Sequence, residues 1–240
     1  MTLVTIDFHN TLFRCDDWFQ LEIELLPSAV IDALGPEISE PADVSAIKRE
    51  GREIYRGIRR QAMDSGVECD ADSSILQVFD RLNLSIGESN VRCAVQRVMR
   101  ATVDAARPRS GAIELVNHLE RRGIPIAIVS SAAYHPFLEW CLQRHGIRHA
   151  FEQVVTSADC GIYKSNPQIY QHTLDLFGAS PGASVHIGDS HRFDVTSASR
   201  VGMRTILLTS ESSLDLDPQP DAIIQSLGDA APHLDRLLSS

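Results

Sequence analysis

The sequence predicts an α/β fold, in which a doubly wound, Rossmann-like parallel sheet carries an inserted all-helical cap. After residue 106, short apolar segments alternate with four amphipathic segments, each of which is followed by a glycine. This alternation indicates a parallel sheet with helices on both faces. Between residues 16 and 106, apolar residues recur only at helical spacing. We therefore expect an α/β core formed by residues 1–14 and 107–240, and a helical insertion at residues 15–106.

The individual elements follow from the same patterns. The apolar segment at residues 3–8 is typical of a buried parallel strand that joins the sheet. Helices of the insertion are predicted, with Ser39 and Asp70 as N-caps, at residues 18–34, 41–63, 70–82 and 88–106. Further strands are predicted at residues 124–129, 151–156, 184–187 and 205–208. The helices that accompany them are predicted at residues 112–122, 135–145, 167–177 and 195–201. Residues 210–220 are polar and contain prolines, as in a surface loop.

Composition and charge exclude several classes of protein. Of 240 residues, 43% are hydrophobic and 22% are charged, as in ordinary globular proteins. The net charge of −10 argues against general binding to nucleic acid or to an anionic membrane. No apolar run reaches the ~18–20 residues of a membrane span, and the N-terminal residues lack the pattern of a signal peptide. Five cysteines without a CxxC pair are typical of reduced thiols. We expect a cytoplasmic protein, and no protein partner is evident from the sequence.

Polar residues follow the predicted strands at the carboxyl edge of the sheet, where ligands bind in folds of this kind. In chain order they are Asp7, His9, Asn10, Thr11, Ser130, Ser131, Lys164, Asp189 and Asp194. Taken singly, each is compatible with a helix cap or a turn. Lys164 is one of only two lysines among 22 basic residues, which makes it a candidate for a role that arginine cannot fill. Together these residues predict a single polar site.

In order and spacing, these residues resemble the four motifs of haloacid dehalogenase-like hydrolases. The first motif, Asp-x-Asp-x-Thr after a strand, corresponds to Asp7-Phe8-His9-Asn10-Thr11. The second and third correspond to Ser130 and Lys164, although the third lacks one of its usual prolines. The fourth, Gly-Asp-x4-Asp, runs from Gly188 to Asp194. The resemblance covers nearly the whole chain, and the insertion is similar to the family's first type of helical cap.

The resemblance implies a Mg²⁺-dependent phosphatase of small phosphorylated metabolites that forms an aspartyl-phosphate. A carboxylate nucleophile divides one hard hydrolysis into two easier displacements, and Mg²⁺ is held by carboxylates and substrate oxygens. The implied catalytic residues are Asp7, His9 and Lys164. The implied phosphate-binding residues are Asn10, Thr11, Ser130, Ser131 and Lys164. The implied metal site comprises Asp7, the His9 carbonyl and Asp189 as ligands, together with Asp194, which would position a ligand or a metal-bound water.

One departure from the family concerns the acid/base step. His9 stands where these hydrolases carry their second aspartate, which protonates the leaving oxygen and then activates water. An ordinary imidazole has a pKa near ~6.5, but Mg²⁺ and Lys164 nearby disfavour its charged form. We therefore expect His9 to act better as a base than as an acid. Activated esters should be preferred, and the rate should rise with pH through the neutral range.

Other activities stay open at this point. Carbon–halogen hydrolysis is disfavoured by Asp189, and a non-catalytic homologue that binds a phosphorylated ligand is a second alternative. Phosphonate-cleaving relatives use a lysine of the cap, for which Lys48 is available, but its charged neighbours favour a solvated helix face. The arginines at helical spacing also suit an exposed face or, alternatively, recognition of an anionic substrate; they are Arg49, Arg52, Arg56 and Arg59.

Overall fold

A six-stranded parallel sheet forms the centre of the molecule. The computed structural model describes residues 1–35, 43–211 and 215–239. The strands are β1 (Val4–Ile6), β2 (Phe13–Arg14), β3 (Arg107–Pro108), β4 (Ile126–Ser130), β5 (Gln153–Thr156), β6 (Val185–Gly188), β7 (Arg204–Leu208) and β8 (Ala222–Ile224). The six-stranded sheet has the order β5-β4-β1-β6-β7-β8, whereas β2 and β3 form a separate antiparallel pair. The predicted α/β fold with a parallel sheet is confirmed.

The helices divide between the insertion and the sheet. Those of the insertion are α1 (Asp16–Gln20), α2 (Leu26–Leu34), α3 (Val44–Ser65), α4 (Ala71–Arg81) and α5 (Glu88–Ala101). Those that accompany the sheet are α6 (Ala112–Arg121), α7 (His135–Arg144), α8 (Ser157–Cys160), α9 (Gln168–Phe177), α10 (Ser197–Arg200) and α11 (Ala230–Ser239). Two π-helical turns, Leu21–Leu25 and His191–Thr196, precede α2 and α10. No helix among the described residues combines the length and apolarity that crossing a membrane requires.

Strand β1 lies at the point where the order of strands in the sheet reverses. It pairs in parallel with β4 on one side and with β6 on the other. All three strands are fully buried, as their continuous apolar runs predict. Their carboxyl ends therefore lie side by side, and the loops that follow them meet at one edge. Ligands bind at such a switch point in doubly wound sheets.

The insertion is a helical bundle connected to the sheet by two neighbouring segments. Helix α2 packs against α3 and α5, and α4 packs against both of those helices. Asp43 and Asp70 cap α3 and α4 by accepting hydrogen bonds from the backbone N–H groups of Ala46 and Ser73. The pairing of β2 with β3 brings the two connecting segments together. The division of the chain at residues 15 and 106 stays a prediction.

Several elements differ from those predicted. The helix expected over residues 18–34 is interrupted by the π-helical turn at Leu21–Leu25. The expected cap Ser39 lies outside the described residues, and α3 begins after Asp43. The predicted surface loop at residues 210–220 is followed by β8 and α11, which the sequence patterns did not indicate. Strand β8 spans only three residues, too few to show a periodicity.

Candidate active site

Three carboxylates meet at the carboxyl edge of β1 and β6. Asp7 follows β1, whereas Asp189 and Asp194 follow β6. One carboxylate oxygen from each lies within 4.8 Å of the others. Gly188 makes this approach possible, because a Cβ atom at that position would lie 2.1 Å from the carboxyl carbon of Asp194. The sequence spacing of these acids therefore corresponds to one compact cluster.

Lys164 lies inside this cluster. Its Nζ atom is 2.5 Å from Oδ1 of Asp7 and 2.6 Å from Oδ1 of Asp194. The residue is 2% exposed, and its backbone N–H donates a hydrogen bond to Oγ of Ser131. Burial disfavours an ammonium ion, but the charges of Asp194 and Asp7 raise the pKa of Lys164 above its ordinary value. Lys164 is therefore a fixed positive charge between two acids.

Thr11 contacts two of the carboxylates through its hydroxyl group. Its hydroxyl lies 3.1 Å from Oδ2 of Asp7 and 3.4 Å from Oδ1 of Asp189. The side chain is fully buried and does not line the cavity next to the acids. A hydroxyl has one hydrogen to donate, so these carboxylates compete for it. The geometry suits Thr11 to orienting Asp7 and Asp189, rather than to the direct phosphate contact that the resemblance implies.

Both oxygens of Asp194 already have protein partners. Oδ1 accepts hydrogen bonds from Lys164 and from Nε2 of His186, which is 3.1 Å away. Oδ2 accepts a hydrogen bond from the backbone N–H of Ser190 at 2.9 Å. Burial alone would raise the pKa of Asp194, but the charge of Lys164 and the hydrogen bond from His186 lower it below its ordinary value. Asp194 is thus an ionised carboxylate that holds its neighbours in place.

The electrostatics of the cluster fit a divalent cation. Burial raises the pKa of Asp7, opposed by Lys164 and reinforced by Asp194. Burial and Asp194 likewise raise the pKa of Asp189. Three carboxylates facing a single ammonium ion carry excess negative charge, and Asp7 and Asp189 are both crowded and incompletely neutralised. Hard oxygen ligands in this arrangement are those that Mg²⁺ prefers.

The predicted phosphate-binding side chains surround this cluster. Ser130 ends β4 and is 2% exposed, and Ser131 follows it. Asn10 adopts a left-handed backbone conformation with φ of 58°, which lets the chain turn sharply after Asp7. All three residues line the cavity, together with the three carboxylates, Lys164 and His9. Of the predicted site residues, Thr11 alone lies outside its lining.

His9 is held against the insertion. Its Nδ1 atom lies 3.0 Å from Sγ of Cys15, and its ring stacks on Phe19 with 4.2 Å between ring centroids. Burial, assisted by Arg14 and opposed by Asp16, lowers the pKa of His9 to about 4. This corrects the expected pH dependence, because a group with that pKa is already neutral throughout the neutral range.

A cavity of about 480 Å³ connects the carboxylates to the insertion. The core contributes Tyr163 and Phe193 to its wall, in addition to the residues described above. The insertion contributes Trp18, Phe19, Glu22, Ile23, Arg56, Arg59, Arg60 and Met63. Both π-helical turns supply lining residues, as such turns often do at functional sites. The site is therefore completed by side chains from both parts of the chain.

A buried ion cluster that the sequence did not reveal contributes Glu22 and Arg59 to the lining of this cavity. Arg59 bonds to Glu22 at 3.0 Å and to Glu68 at 2.5 Å, and its side chain is 9% exposed. Glu22 also accepts a hydrogen bond from the backbone N–H of Ala133, and Glu68 accepts one from Ser157. The expected exposed face for Arg59 is therefore wrong. Arginine on an amphipathic helix carries no sequence signal that separates burial from exposure.

The comparison with known families agrees with this geometry. A family model described as haloacid dehalogenase-like hydrolase matches residues 1–202. The chain belongs to the haloacid dehalogenase-like hydrolases.

Relatives of this hydrolase differ in how much of it they match. It is 34% identical over 134 residues to the haloacid dehalogenase-like hydrolase domain-containing protein 3 of Bos taurus, covering 54% of this chain and 53% of that protein. It thus spans about half the length of that relative. It is 30% identical over 215 residues to the glyceraldehyde 3-phosphate phosphatase of Methanopyrus kandleri, covering 88% of each chain. The crystal structure of 2-haloacid dehalogenase from Pseudomonas syringae pv. Tomato has a TM-score of 0.72 at 19% identity over 98% of both chains. That likeness shows the fold alone.

Proposed function

We propose that this hydrolase is a Mg²⁺-dependent phosphatase that removes phosphate from a small phosphorylated metabolite in the cytoplasm. The observation that carries the proposal is the cluster of Asp7, Asp189 and Asp194 around Lys164, next to Ser130. An anionic nucleophile can approach an anionic phosphate only where positive charge offsets their repulsion. Lys164 supplies one such charge, and the acids supply the ligands for a cation.

Asp7 is the nucleophile in this proposal. Lys164 and Thr11 hold its two oxygens in place, so the carboxylate reaches the phosphorus atom in a fixed orientation. An oxygen of Asp7 bonds to phosphorus while the bond from phosphorus to the leaving oxygen breaks. Water then attacks the phosphorus of the aspartyl-phosphate, which releases phosphate and restores Asp7. Ser130 and Ser131 bind phosphate oxygens during both displacements.

Asp7, Asp189 and the backbone carbonyl of His9 would hold Mg²⁺, which supplies charge neutralisation at the phosphate oxygens. Asp194, which accepts hydrogen bonds from Lys164, His186 and the backbone N–H of Ser190, would orient these groups and a ligand of the cation. This assignment is the one that the resemblance implies. It relies on residues that the fold brings together and on the excess negative charge of the cluster.

The proton transfers are the unusual part of the proposed mechanism. With its low pKa, His9 is neutral at pH 7 and can accept a proton from the attacking water. The same property makes it a poor donor to a leaving alkoxide. Leaving groups that depart as weak bases should therefore react faster than alkyl groups.

The names of relatives that are matched over most of their length favour phosphatase over the alternatives. The Methanopyrus kandleri relative named above is a phosphatase, and a second relative, from Bacillus mycoides, is named pyrophosphatase. Likeness to a dehalogenase structure concerns the fold, which serves both reactions. Lys48, the lysine that a phosphonate-cleaving mechanism would need, pairs with Asp32 and does not line the cavity.

A screen of phosphate esters tests the proposal. Purified protein would be assayed with Mg²⁺ and with excess EDTA, in parallel with 2-haloacids. We expect phosphate release that depends on Mg²⁺ and is lost in Asp7→Asn, while Asp175→Asn, an exposed acid on α9, behaves as wild type. Halide release in EDTA would favour the dehalogenase alternative. Phosphonate binding without any turnover would favour the non-catalytic homologue.

A further inference from the structure

The cavity has two ends of opposite charge. The end at the sheet contains the three carboxylates and Lys164 described above. The end at the insertion is formed by one face of α3, where residues three and four apart lie side by side. That face contributes Arg56, Arg59, Arg60 and Met63 to the lining. A ligand that fills the cavity therefore spans from the phosphate site to a row of arginines.

The arginines of this row are not equivalent. Arg59 is neutralised by its two buried glutamates. Arg56 pairs with Glu53 and lies 3.7 Å from Glu24. Within the described part of the chain, Arg60 forms no ion pair, and it is exposed on the cavity side of α3. Its guanidinium is available to hold an anionic group, which it can bind through two parallel N–H donors.

Part of the cavity wall is apolar. Phe19 and Ile23 are large hydrophobic side chains that are 36% and 37% exposed, and both line this cavity. Met63 on the same side and Phe193 on the core side continue the apolar wall. Hydroxyl groups placed along such a wall would lose hydrogen bonds to water without replacement. An apolar body fits this region better than a polyol.

We propose that the substrate is a phosphate monoester with an apolar, ring-sized body that ends in a carboxylate held by Arg60. The proposal rests on the proposed function for the phosphate end of the cavity. The phosphate lies at Asp7 and Ser130, the body contacts Phe19 and Ile23, and the carboxylate reaches α3. It adds a substrate class and a specificity-determining residue to the proposed reaction.

Binding of non-hydrolysable phosphonates tests this inference without requiring turnover. Dissociation constants would be measured calorimetrically in Mg²⁺ for methylphosphonate, phenylphosphonate, 4-phosphonobenzoate and the homologue of the last that is one methylene longer. Phenylphosphonate should bind at least ~10-fold more tightly than methylphosphonate because the ring is buried against the apolar wall. The better of the two carboxylated probes should gain a further ~5-fold or more over phenylphosphonate.

Two matched variants of α3 separate Arg60 from a general charge effect. Arg60→Gln should reduce the advantage of the carboxylated probe to about one-fold while binding phenylphosphonate as wild type does. Arg49→Gln, on the same helix but outside the cavity lining, should keep the full advantage. Equal binding of carboxylated and uncarboxylated probes by wild type, or an advantage that survives Arg60→Gln, would overturn the proposal.

Turnover of phenyl phosphate, measured in the same proteins, separates the two proposals. If phenyl phosphate is not hydrolysed but the carboxylate advantage is present and depends on Arg60, the phosphatase assignment fails and the ligand class is supported. If phenyl phosphate is hydrolysed and the advantage is absent, the ligand class fails and the phosphatase assignment is supported.

Discussion

Nδ1 of His9 lies 3.0 Å from Sγ of Cys15, so the first catalytic motif is joined to the start of the insertion. Burial raises the pKa of Cys15, which therefore keeps its S–H proton at neutral pH. The thiol sulfur can accept a hydrogen bond from the Nδ1–H group of the neutral imidazole, which leaves the lone pair on Nε2 free to accept a proton. A ring in this state gives up a proton only reluctantly. The contact offers a structural reason for the altered acid/base step that we propose for this hydrolase.

Replacing His9 by aspartate should therefore change the preference for leaving groups. General acid catalysis contributes ~10²–10⁴-fold, so we expect wild type to favour an aryl over a matched alkyl phosphate by a factor of that order. In His9→Asp, kcat/KM for the alkyl ester should rise more than for the aryl ester. The measurement is kcat/KM for both esters in both proteins. Similar rates for the two esters in wild type, with His9→Asp slower on both, would show that His9 is already a competent acid.

The buried ion cluster should make stability depend on pH. Burial, opposed by Arg59 and reinforced by Glu68, raises the pKa of Glu22 from 4.5 to about 7. Between these two values the folded protein binds more protons at Glu22 than the unfolded chain does, so the free energy of unfolding falls as pH rises. The shift corresponds to roughly 3 kcal/mol once Glu22 is fully ionised.

Glu22→Gln tests this dependence because glutamine keeps the acceptor oxygen but does not titrate. Denaturant unfolding at several pH values should show wild type losing stability relative to Glu22→Gln as pH rises from 4.5 to 7. A constant difference between the two proteins over that window would show that the pKa of Glu22 is not raised.

Lys164 should be required for stability as well as for activity. Lys164→Met leaves Asp7 and Asp194 without their shared partner in a buried site, which should cost about 3–5 kcal/mol in the free energy of unfolding. The other lysine provides the control. Lys48 pairs with an Asp32 side chain that is 66% exposed, so Lys48→Met should cost at most ~1 kcal/mol. Equal costs for the two variants in denaturant unfolding would contradict this interpretation.

Mg²⁺ should stabilise the folded protein through Asp189. A ligand at 100 times its dissociation constant stabilises the state that binds it by ~2.7 kcal/mol, so the melting temperature of wild type should rise as Mg²⁺ is added. Asp189→Asn should lose most of that rise, whereas Asp175→Asn should retain it. The melting temperatures are measured without substrate and therefore do not depend on turnover. An equal rise in melting temperature in both variants would show that Asp189 does not bind Mg²⁺.

The parts of the fold that sequence patterns predicted are those with a strong local signal. The buried strands β1, β4 and β6 are continuous apolar runs, and a glycine follows the predicted helices around them. Strand β8 and the π-helical turn at Leu21–Leu25 have no such signal. Strand β8 pairs with β7 at the edge of the sheet, and the turn interrupts a sequence that is regular in its apolar spacing.

The candidate site also contains contacts that the sequence predicted and contacts that it did not. The motif residues that follow β1, β4 and β6 could be placed together, because carboxyl ends of parallel strands share an edge. The contacts of Arg59 with Glu22 and Glu68 could not, because they depend on how the insertion packs on the core. The stacking of His9 on Phe19 depends on the same packing. The low pKa of the His9 imidazole also depends on it, because burial is the main cause of that shift.

The most direct test of the proposed mechanism is a search for phosphate on Asp7 during turnover. Enzyme mixed with an aryl phosphate and Mg²⁺ would be quenched in acid within one turnover, digested, and mapped by mass spectrometry. We expect one phosphoryl group on the N-terminal peptide, at Asp7, with none in Asp7→Asn or in EDTA, and a loss of several orders of magnitude in kcat for Asp7→Asn. Phosphate release by Asp7→Asn at the wild-type rate, with no phosphorylated peptide in either protein, would contradict the covalent mechanism.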